Sequence, residues 1–424
     1  MKVLMVNTSG RTGGAAIAAR RLASTLQNHG VYAKMLVANN EDNANMSVVA
    51  LPHKWLHKWH FLAERLFLYA MQGFKRKGLF DIDPAMMGTD ITRLREFKEA
   101  DIIHLHWVNQ GFLSLGDIRR ILASGKPVVW TMHDMWPFTG VCHYVHDCER
   151  YKVGCGLCPC LTYGFSKDLS HRVWKKKQRL WNQGGKLAFV ACSKWLAETA
   201  LGSTLLANHR VENIVNPIDC KLYSPRDKAE ARRKLGLPQN KILILFCAYN
   251  VALPIKGLAY LQRALELLVA RDGEWRDKIG VLLVGKSSEA VGSGFCVETK
   301  ALGFVDDERL KAQIYNAADL FVIPSLQDNL PNTIVEAKAS GLPVVGTRVG
   351  GIPRMIDHRI DGYIVEPQNA ESLAEGIEWV IGEADLKEIS VRSRRNAVEQ
   401  YSETAVAQKY IRLYEELLNK KMKE

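Results

Sequence analysis

The feature that most constrains the fold is the regular alternation of short apolar runs with stretches of helical pattern. In the first half, apolar runs occupy residues 2–6, 32–37, 101–105, 127–131 and 187–191. In the second half, they occupy residues 242–247, 281–284, 320–323 and 343–345. Apolar runs that lead into helices are typical of parallel sheets covered by helices. We therefore predict an α/β fold whose first half is doubly wound and whose second half repeats the theme.

The length of the chain indicates the number of domains. A chain of 424 residues is too long for one ordinary core and suits two α/β domains of roughly 200 residues each. A Pro-containing segment at 216–219 and a highly charged run after it separate the two halves. We predict an N-terminal domain over 1–217 and a C-terminal domain over 218–400, with a cleft between them. An amphipathic helix over 401–424 is expected to pack back on the N-terminal domain.

The formal net charge of +12 predicts an anionic partner, which leaves nucleotide diphosphates, nucleic acid and anionic lipid open. No helix-turn-helix, RNA-recognition or finger pattern accompanies the charge, so we expect no nucleic-acid partner. The apolar start of the chain is too short for a signal-peptide core, and no run approaches the roughly 18 apolar residues of a membrane-spanning helix. We expect a cytoplasmic protein that is not integral to a membrane.

The strongest functional signal lies in the segment 317–337. A buried strand ends at Pro324, a polar loop follows, and a helix begins near Asn332. Helix starts bind anions or hydroxyl-rich ligands, and ligands of open α/β sheets lie at this carboxyl edge. Asp328 in the loop and Glu336 in the helix then supply two acceptors for sugar and ribose hydroxyls. Taken singly, Asp328 is equally compatible with a helix cap and Glu336 with an exposed helix position.

The surroundings of this pair resemble glycosyltransferase family 4, the retaining enzymes with the GT-B fold of two facing Rossmann-like domains. The family frame is an acidic residue and a Glu with seven residues between them, preceded by Pro-Ser and followed by Ala-x-Ala-x-Gly-x-Pro-Val-Val. Residues 324–345 fit this frame, as do residues 349–353. The resemblance implies a GT-B fold with an interdomain cleft. It also implies retaining transfer, without a metal, from a nucleotide-diphosphate sugar to a saccharide or lipid-linked acceptor in surface polysaccharide biosynthesis.

The same resemblance implies roles for individual residues of the second half. Glu336 binds the ribose of the donor, and the amides of Asn329 and Leu330 hold the transferred sugar. Asp328, where relatives usually carry Glu, is the predicted catalytic carboxylate beside the sugar, and its shorter side chain reaches less far. Lys256, which precedes a glycine on the first βα connection of this half, matches a lysine that meets the donor diphosphate.

Two departures from the family pattern leave an alternative open. Relatives carry an Arg a few residues before this lysine, whereas residues 247–255 contain none. The first acid of the pair is Asp328 rather than Glu. These departures are compatible with a degenerate GT-B protein that binds a nucleotide or a membrane surface without catalysis.

Candidate residues of the first half follow three strands. Gly13 and Gly14 join the first strand to the first helix, where glycine lets the backbone approach a ligand; by the resemblance, this loop lies over the donor phosphates or the acceptor. His133 follows a buried strand and matches a histidine that lies by the donor in the family. We predict a catalytic role in which its imidazole donates to a phosphate or sugar oxygen. His104 and His106 are acceptor-side candidates, with core packing as the open alternative.

Five of the nine cysteines fall between residues 142 and 160. Without an export signal, they favour reduced thiols or a metal over disulfides. The two-residue spacing of Cys155 and Cys158 suits a tetrahedral zinc site. We predict structural zinc on Cys142, Cys148, Cys155 and Cys158, with His143 or Cys160 as substitutes. A set of partly buried thiols is the alternative.

The segment 53–77 mixes aromatic and apolar side chains with lysines and arginines. That composition suits a helix that lies on an anionic membrane surface, and equally an ordinary covering helix. A second basic run at 171–177 is expected to act with it. The protein is therefore predicted to be cytoplasmic, with peripheral contact at the inner face of the membrane as one of two interpretations.

Overall fold

The structure is a computed structural model that describes residues 1–39, 47–76, 78–183 and 185–419. The chain divides into two compact units. Unit 1 comprises Met1–Asn216 together with the C-terminal segment from Val406, and unit 2 comprises Pro217–Ala405. Lys77 of the predicted basic segment and residues 420–424 of the predicted terminal helix lie outside the described residues.

Unit 1 is built on a seven-stranded sheet with helices around it. The strands are β1 (Lys2–Ser9), β2 (Tyr32–Asn39), β3 (Val48–Ala50), β4 (Ile102–Leu105), β5 (Val128–Met132), β6 (Leu187–Ala191) and β7 (Val211–Asn213). The helices are α1 (Gly14–Asn28), α2 (Lys54–Met71), α3 (Arg95–Glu99), α4 (Leu115–Ala123), α5 (Leu169–Trp181) and α6 (Lys194–Leu201). The strand order is β3-β2-β1-β4-β5-β6-β7, and every pairing is parallel.

Unit 2 repeats this plan with six strands. These are β8 (Ile242–Asn250), β9 (Ile279–Lys286), β10 (Glu298–Ala301), β11 (Leu320–Ile323), β12 (Val344–Thr347) and β13 (Gly362–Val365). The helices are α7 (Lys228–Leu235), α8 (Leu258–Arg271), α9 (Trp275–Lys278), α10 (Ser288–Gly292), α11 (Glu308–Ala317), α12 (Asn332–Ala339), α13 (Ala370–Glu378) and α14 (Leu386–Tyr401). The parallel strand order is β10-β9-β8-β11-β12-β13.

The predicted α/β class with doubly wound parallel sheets is confirmed. Each of the nine apolar runs lies in or overlaps a strand. The strands that the sequence did not indicate, β3, β7, β10 and β13, lie at or near the ends of the two sheets. β10, for example, reads Glu-Thr-Lys-Ala with every residue partly or fully exposed. An edge strand needs no continuous apolar run, so hydrophobicity alone does not reveal it.

The last helix, α15 (Glu403–Asn419), belongs mostly to unit 1. Its apolar face packs on one side of the seven-stranded sheet, in a core shared with α1 and strands β1, β2, β5 and β6. Tyr410, Leu413 and Tyr414 are each at most 2% exposed. The end of the chain therefore completes a core that the first 216 residues leave open on this side.

Both sheets change winding direction at one place. In unit 1 the order reverses between β1 and β4, and in unit 2 it reverses between β8 and β11. Successive crossovers diverge at such a switch point, so the carboxyl ends of the two strands there leave room for a ligand. The predicted glycine loop and histidines lie at or beside the first switch point, and the predicted lysine and acids lie at the second.

Replacing Leu413 by Ala tests the contribution of α15 to unit 1. Leu413 is 2% exposed, so the change removes buried methyl groups and leaves a cavity. We expect the free energy of unfolding of unit 1 to fall by about 3 kcal/mol. Urea denaturation followed by tryptophan fluorescence measures it, since eight of the ten tryptophans lie in unit 1. The exposed Glu415→Ala on the same helix is the control, with a change within about 0.5 kcal/mol; equal effects of both variants would contradict the packing.

Candidate active site

The candidate residues of unit 2 lie where β8 and β11 end side by side. After β8 the chain forms a short 3-10 helix at Pro254–Lys256, and Lys256 Nζ donates to Asp328 Oδ2 at 2.7 Å. Asp328 lies in the loop after β11, and its Oδ1 accepts from the Asn329 amide at 3.1 Å. The structure brings the predicted lysine and the predicted acid together as a partly exposed ion pair.

Two glycines hold the loops around this pair in close backbone contact. Gly257 has a φ of 74°, and a Cβ added there would lie 1.9 Å from the carbonyl oxygen of Pro324. Gly350 has a φ of 51°, and a Cβ added there would lie 1.8 Å from the carbonyl oxygen of Asp328. No side chain fits at such separations, so both positions require glycine. The loops after β8, β11 and β12 are thereby fixed against one another.

Glu336 is buried in α12, with 4% of its surface exposed. The alternative interpretation, in which Glu336 occupies an exposed helix position, is therefore wrong. The Tyr315 hydroxyl donates to Glu336 Oε2 at 2.9 Å. Burial, followed by the charge of Glu336, raises the pKa of Tyr315 well above its usual value. The phenol thus stays protonated and holds one carboxylate oxygen in place. No pattern in the sequence indicated this tyrosine.

The remainder of the loop is also buried and polar. Asn329 and Leu330 are buried, as the predicted contact with a ligand through their backbone allows. Ser325 is fully buried, and its hydroxyl finds no hydrogen-bond partner among the described residues. The N-cap residue of α12, Pro331, has no polar side chain with which to cap the helix. A helix start of this kind, next to a buried hydroxyl, suits an anion or a sugar.

The glycine loop of unit 1 has an open environment. Gly13 precedes α1 with a φ of 94°, a value that favours glycine. A Cβ added at Gly13 or at Gly14 would meet no atom within 4 Å. Close contacts explain why glycine occupies positions 257 and 350. They do not explain why it occupies positions 13 and 14. Their position after β1, at the switch point, agrees with the predicted approach of a ligand.

His106 and His133 follow the neighbouring strands β4 and β5 directly and contact each other. His106 Nδ1 lies 3.0 Å from His133 Nε2, and the two rings stack with centroids 5.3 Å apart. Burial lowers the pKa of His133 to about 4, against the raising effect of Asp134. Burial also lowers the pKa of His106, and its Nε2 has no hydrogen-bond partner among the described residues. Both imidazoles are therefore neutral at pH 7.

His104 lies inside the fold rather than at the strand end. Its Nε2 lies 2.7 Å from Thr131 Oγ1, and its Nδ1 lies 2.7 Å from the Tyr414 hydroxyl of α15. Both ring nitrogens are thus hydrogen-bonded, and the residue is fully buried. Burial lowers the pKa of His104 to about 3, and the charge of a protonated His133 would act in the same direction. The structure brings His106, but not His104, next to His133.

Asp134 is a site residue that the sequence analysis missed. One of its oxygens accepts from Trp107 Nε1 at 2.9 Å and pairs with His143 Nδ1 at 2.7 Å. Its other oxygen accepts from the Trp136 amide at 2.9 Å. Burial opposes protonation of His143, but the charge and hydrogen bond of Asp134 outweigh it and raise the pKa of His143. Asp134 thus fixes the loop after His133, and it engages the histidine that was considered as a zinc ligand.

The five cysteines line one cavity in unit 1. None of the nine cysteines, all of which the structure describes, forms a disulfide. As their side chains stand, no three His, Cys, Asp or Glu residues of the described chain are arranged to hold a metal ion. The predicted ligands therefore share a cavity, and metal binding would require the thiols to turn inward.

Comparison with known proteins gives two family matches. A model described as Glycosyltransferase Family 4 matches residues 12–222, and a model described as Glycosyl transferases group 1 matches residues 241–383. An uncharacterized glycosyltransferase of Methanocaldococcus jannaschii is 30% identical over 375 residues, which cover 81% of this chain and 91% of that protein. The chain belongs to the group 1, family 4 glycosyltransferases, as the sequence motif predicted.

One further relative and one solved structure are also similar to this chain. The putative colanic acid biosynthesis glycosyl transferase WcaC of Escherichia coli K12 is 27% identical, over 74% of this chain and 76% of that protein. The crystal structure of HepE from Anabaena, in complex with UDP, has a TM-score of 0.64 at 16% identity and covers 98% of this chain and 100% of its own. The predicted GT-B fold is confirmed, and nothing in these matches supports the noncatalytic alternative.

The buried histidine His104 makes unit 1 sensitive to acid. Its pKa is lower in the folded chain than the value of about 6.5 in the unfolded chain, so the unfolded chain binds more protons between the two values. The stability that neutral His104 contributes is present above a pH of about 6.5 and is lost as the pH falls below that value. Between pH 7 and pH 5, we expect the native protein to lose about 2 kcal/mol more than His104→Gln.

Urea unfolding at the two pH values measures this difference. His53→Gln is the control, because His53 is exposed and its replacement should leave the pH dependence of the native protein unchanged. If His104→Gln lost as much stability as the native protein, His104 would not be held neutral by burial.

Proposed function

We propose that this family 4 glycosyltransferase moves a sugar from a nucleotide-diphosphate sugar to a saccharide or lipid-linked acceptor, with retention of the anomeric configuration. The observation that carries the proposal is the group of Lys256, Asp328 and Glu336 at the carboxyl edge of the unit 2 sheet. It combines a cation for a diphosphate with acceptors for hydroxyl groups, as a nucleotide sugar requires. HepE, which shares the fold, was crystallised with UDP.

The contacts support a division of roles. Glu336 is buried and held by Tyr315 through one oxygen, so it is oriented to accept hydrogen bonds from a ribose. Lys256 exchanges Asp328 for the donor diphosphate, and Asp328 then accepts from the transferred sugar, assisted by backbone around Asn329 and Leu330. The loop of Gly13 and Gly14, on unit 1, contacts the donor phosphates or the acceptor.

We propose internal return as the route to retention. The acceptor hydroxyl attacks on the face from which the diphosphate leaves, so no side-chain nucleophile takes part. Lys256 and the start of α12 stabilise the departing charge, which makes a catalytic metal unnecessary. Because His133 is held neutral beside His106, it donates a hydrogen bond to a phosphate or sugar oxygen without adding a charge.

Surface polysaccharide assembly at the cytoplasmic face of the membrane is the proposed setting. The relative WcaC is named for colanic acid biosynthesis, which supports a polysaccharide product. A lipid-linked acceptor would place the reaction at a membrane surface. The exposed surface of α2 supports such a location.

Nucleotide binding to Glu336 tests the proposal. We expect saturating UDP to raise the melting temperature of the native protein by a few degrees. GDP and ADP are measured in the same way. A ligand at about one hundred times its Kd adds roughly 2.7 kcal/mol. Glu336→Ala should lose this shift, whereas the exposed Glu375→Ala in the same unit should keep it. No shift with any of the three nucleotides, or an equal shift in Glu336→Ala, would contradict the assigned site.

Helix α2 presents an apolar stripe on the face opposite its buried side. Four residues, spaced by four, three and four positions, are 57% to 66% exposed: Trp55, Trp59, Leu62 and Leu66. The opposite face includes three buried residues: His57, Glu64 and Leu68. Such spacing places each set on one side of the helix. The stripe is therefore a surface feature and not part of the core.

The charges around the stripe favour an anionic lipid surface. Lys58, Lys75 and Arg76 are exposed. The single acid of α2, Glu64, is buried and paired with Arg65 at 3.1 Å. Among the described helices, none is long and apolar enough to cross a bilayer. We propose that α2 lies on the anionic inner face of the membrane, with the stripe among the lipid chains and the basic residues near the headgroups.

The second basic run, at 171–177, exposes fewer basic side chains than its sequence suggests. Lys177 is fully buried and donates to the carbonyl oxygens of Trp136 and Thr139. Trp174 is buried too. Only Arg172, Lys175 and Lys176 of this run are exposed, because α5 turns its other residues towards the core.

Replacing Leu66 by Glu tests the membrane contact. Burying a leucine side chain is worth about 1.5 to 3 kcal/mol, so we expect binding to vesicles of phosphatidylglycerol and phosphatidylcholine to fall at least tenfold. Flotation of vesicles with bound protein measures the binding. Val391→Glu is the matched control, since Val391 is 67% exposed in unit 2 and Leu66 is 66% exposed. If both variants float like the native protein, the stripe does not contact lipid.

A further inference from the structure

The cysteine cavity of unit 1 has no part in the proposed transfer reaction. Its empty volume, counted with the opening to solvent, is about 340 Å³. All five clustered cysteines line it: Cys142, Cys148, Cys155, Cys158 and Cys160. Thiolates bind soft and borderline metal ions, and sets of four cysteines are typical of structural zinc sites. All five residues therefore lie around one space within unit 1, although their thiols are not yet arranged around a common point.

The backbone is specifically shaped to bring Cys155 and Cys158 to the cavity. Gly156 has a φ of 148°, and a Cβ added there would lie 2.4 Å from the carbonyl oxygen of Ser166. Leu157 has a φ of 48°, a value that side chains rarely allow. The amide of Gly140 donates to Cys155 Sγ at 3.1 Å.

A buried lysine lies near two of these cysteines, Cys142 and Cys155. Lys177 is fully buried, and its Nζ lies 3.4 Å from the ring centre of Trp136. Within the described chain no carboxylate forms an ion pair with it, but Cys155, Cys142, Asp83 and Asp134 all lie within range of its charge. Burial of a cation is costly unless negative groups lie near it. A zinc ion with four thiolates carries a net charge of −2 and would add to the negative charge around Lys177.

We propose that Cys142, Cys148, Cys155 and Cys158 bind one zinc ion as a structural site. Each thiol releases its proton to solvent and turns inward by rotation about Cα–Cβ, and four Zn–S bonds form. Cys160 is left out of this set because Cys158, at the two-residue spacing from Cys155, already completes the pair. The site does not depend on the proposed sugar transfer.

Zinc would hold the segment that follows the candidate catalytic histidine. Cys142 directly precedes His143, which pairs with Asp134, and Asp134 directly follows His133. Loss of the metal would therefore loosen the Asp134 pair and with it the loop after β5. The ion acts on His133 through this loop and does not touch the reacting groups.

Metal analysis of the purified full-length chain, free of any polyhistidine tag, tests the proposal. We expect about one zinc ion per chain. Cys155→Ser should lose the zinc, and the melting temperature should fall by several degrees; Cys160→Ser and Cys192→Ser are the matched controls and should keep it. If Cys155→Ser does not fold, cobalt added to the native chain should give the intense absorption of tetrahedral thiolate ligation.

Two outcomes would overturn the proposal. One is a chain without zinc that shows no thiolate absorption with cobalt and whose five clustered thiols all react with a thiol reagent. The other is a native mass two hydrogens lower, which would show a disulfide within the cluster. Loss of zinc in Cys160→Ser with retention in Cys148→Ser would contradict the chosen ligand set.

Discussion

The close backbone contact between Gly257 and Pro324 is the constraint on which the unit 2 site depends. It lets the loop after β8 lie directly against the loop after β11, so that Lys256 reaches Asp328. Gly350 makes the same kind of close backbone contact between the loop after β12 and Asp328. A side chain at either glycine would push the loops apart and separate the cation from the acid. The parallel strand order creates the switch point, and these two glycines determine how closely the polar groups gather there.

Unit 1 reaches a comparable arrangement by a different means. Its histidines follow β4 and β5, and burial keeps them neutral, so polar groups are gathered without accumulated charge. His104 does not face the strand end but bonds to Tyr414, which links the strand to α15. The C-terminal helix thereby supports the same strands that carry His106 and His133. Residues separated by about 300 positions in sequence contribute to one layer of the fold.

The sequence predicted much of this because strand runs and the family frame are local patterns. The nine apolar runs marked the central strands, and the spacing of Asp328 and Glu336 marked the loop and helix between β11 and β12. The contacts that orient these residues were not predictable in the same way. Tyr315 holds Glu336 from another helix, and Asp134 meets His143 nine positions further along the chain, so only the folded chain shows either pair. Burial of Lys177 was also hidden, because its neighbours in sequence are exposed lysines.

Burial also separates the lysines of unit 2 that can serve a ligand from those that cannot. Lys338 pairs with Asp361 at 2.6 Å, with side chains 1% and 2% exposed. Removing one partner of that pair would leave an unpaired charge in the interior and would lower the free energy of unfolding by about 3 to 5 kcal/mol. The side chains of Lys256 and Asp328 are 29% and 14% exposed, and ion pairs open to solvent contribute only about 0 to 1 kcal/mol. On the proposed function, Lys256 would therefore exchange a carboxylate for a diphosphate at little cost. This weak pairing keeps a cation available for the diphosphate in a chain whose residues 247–255 contain no arginine.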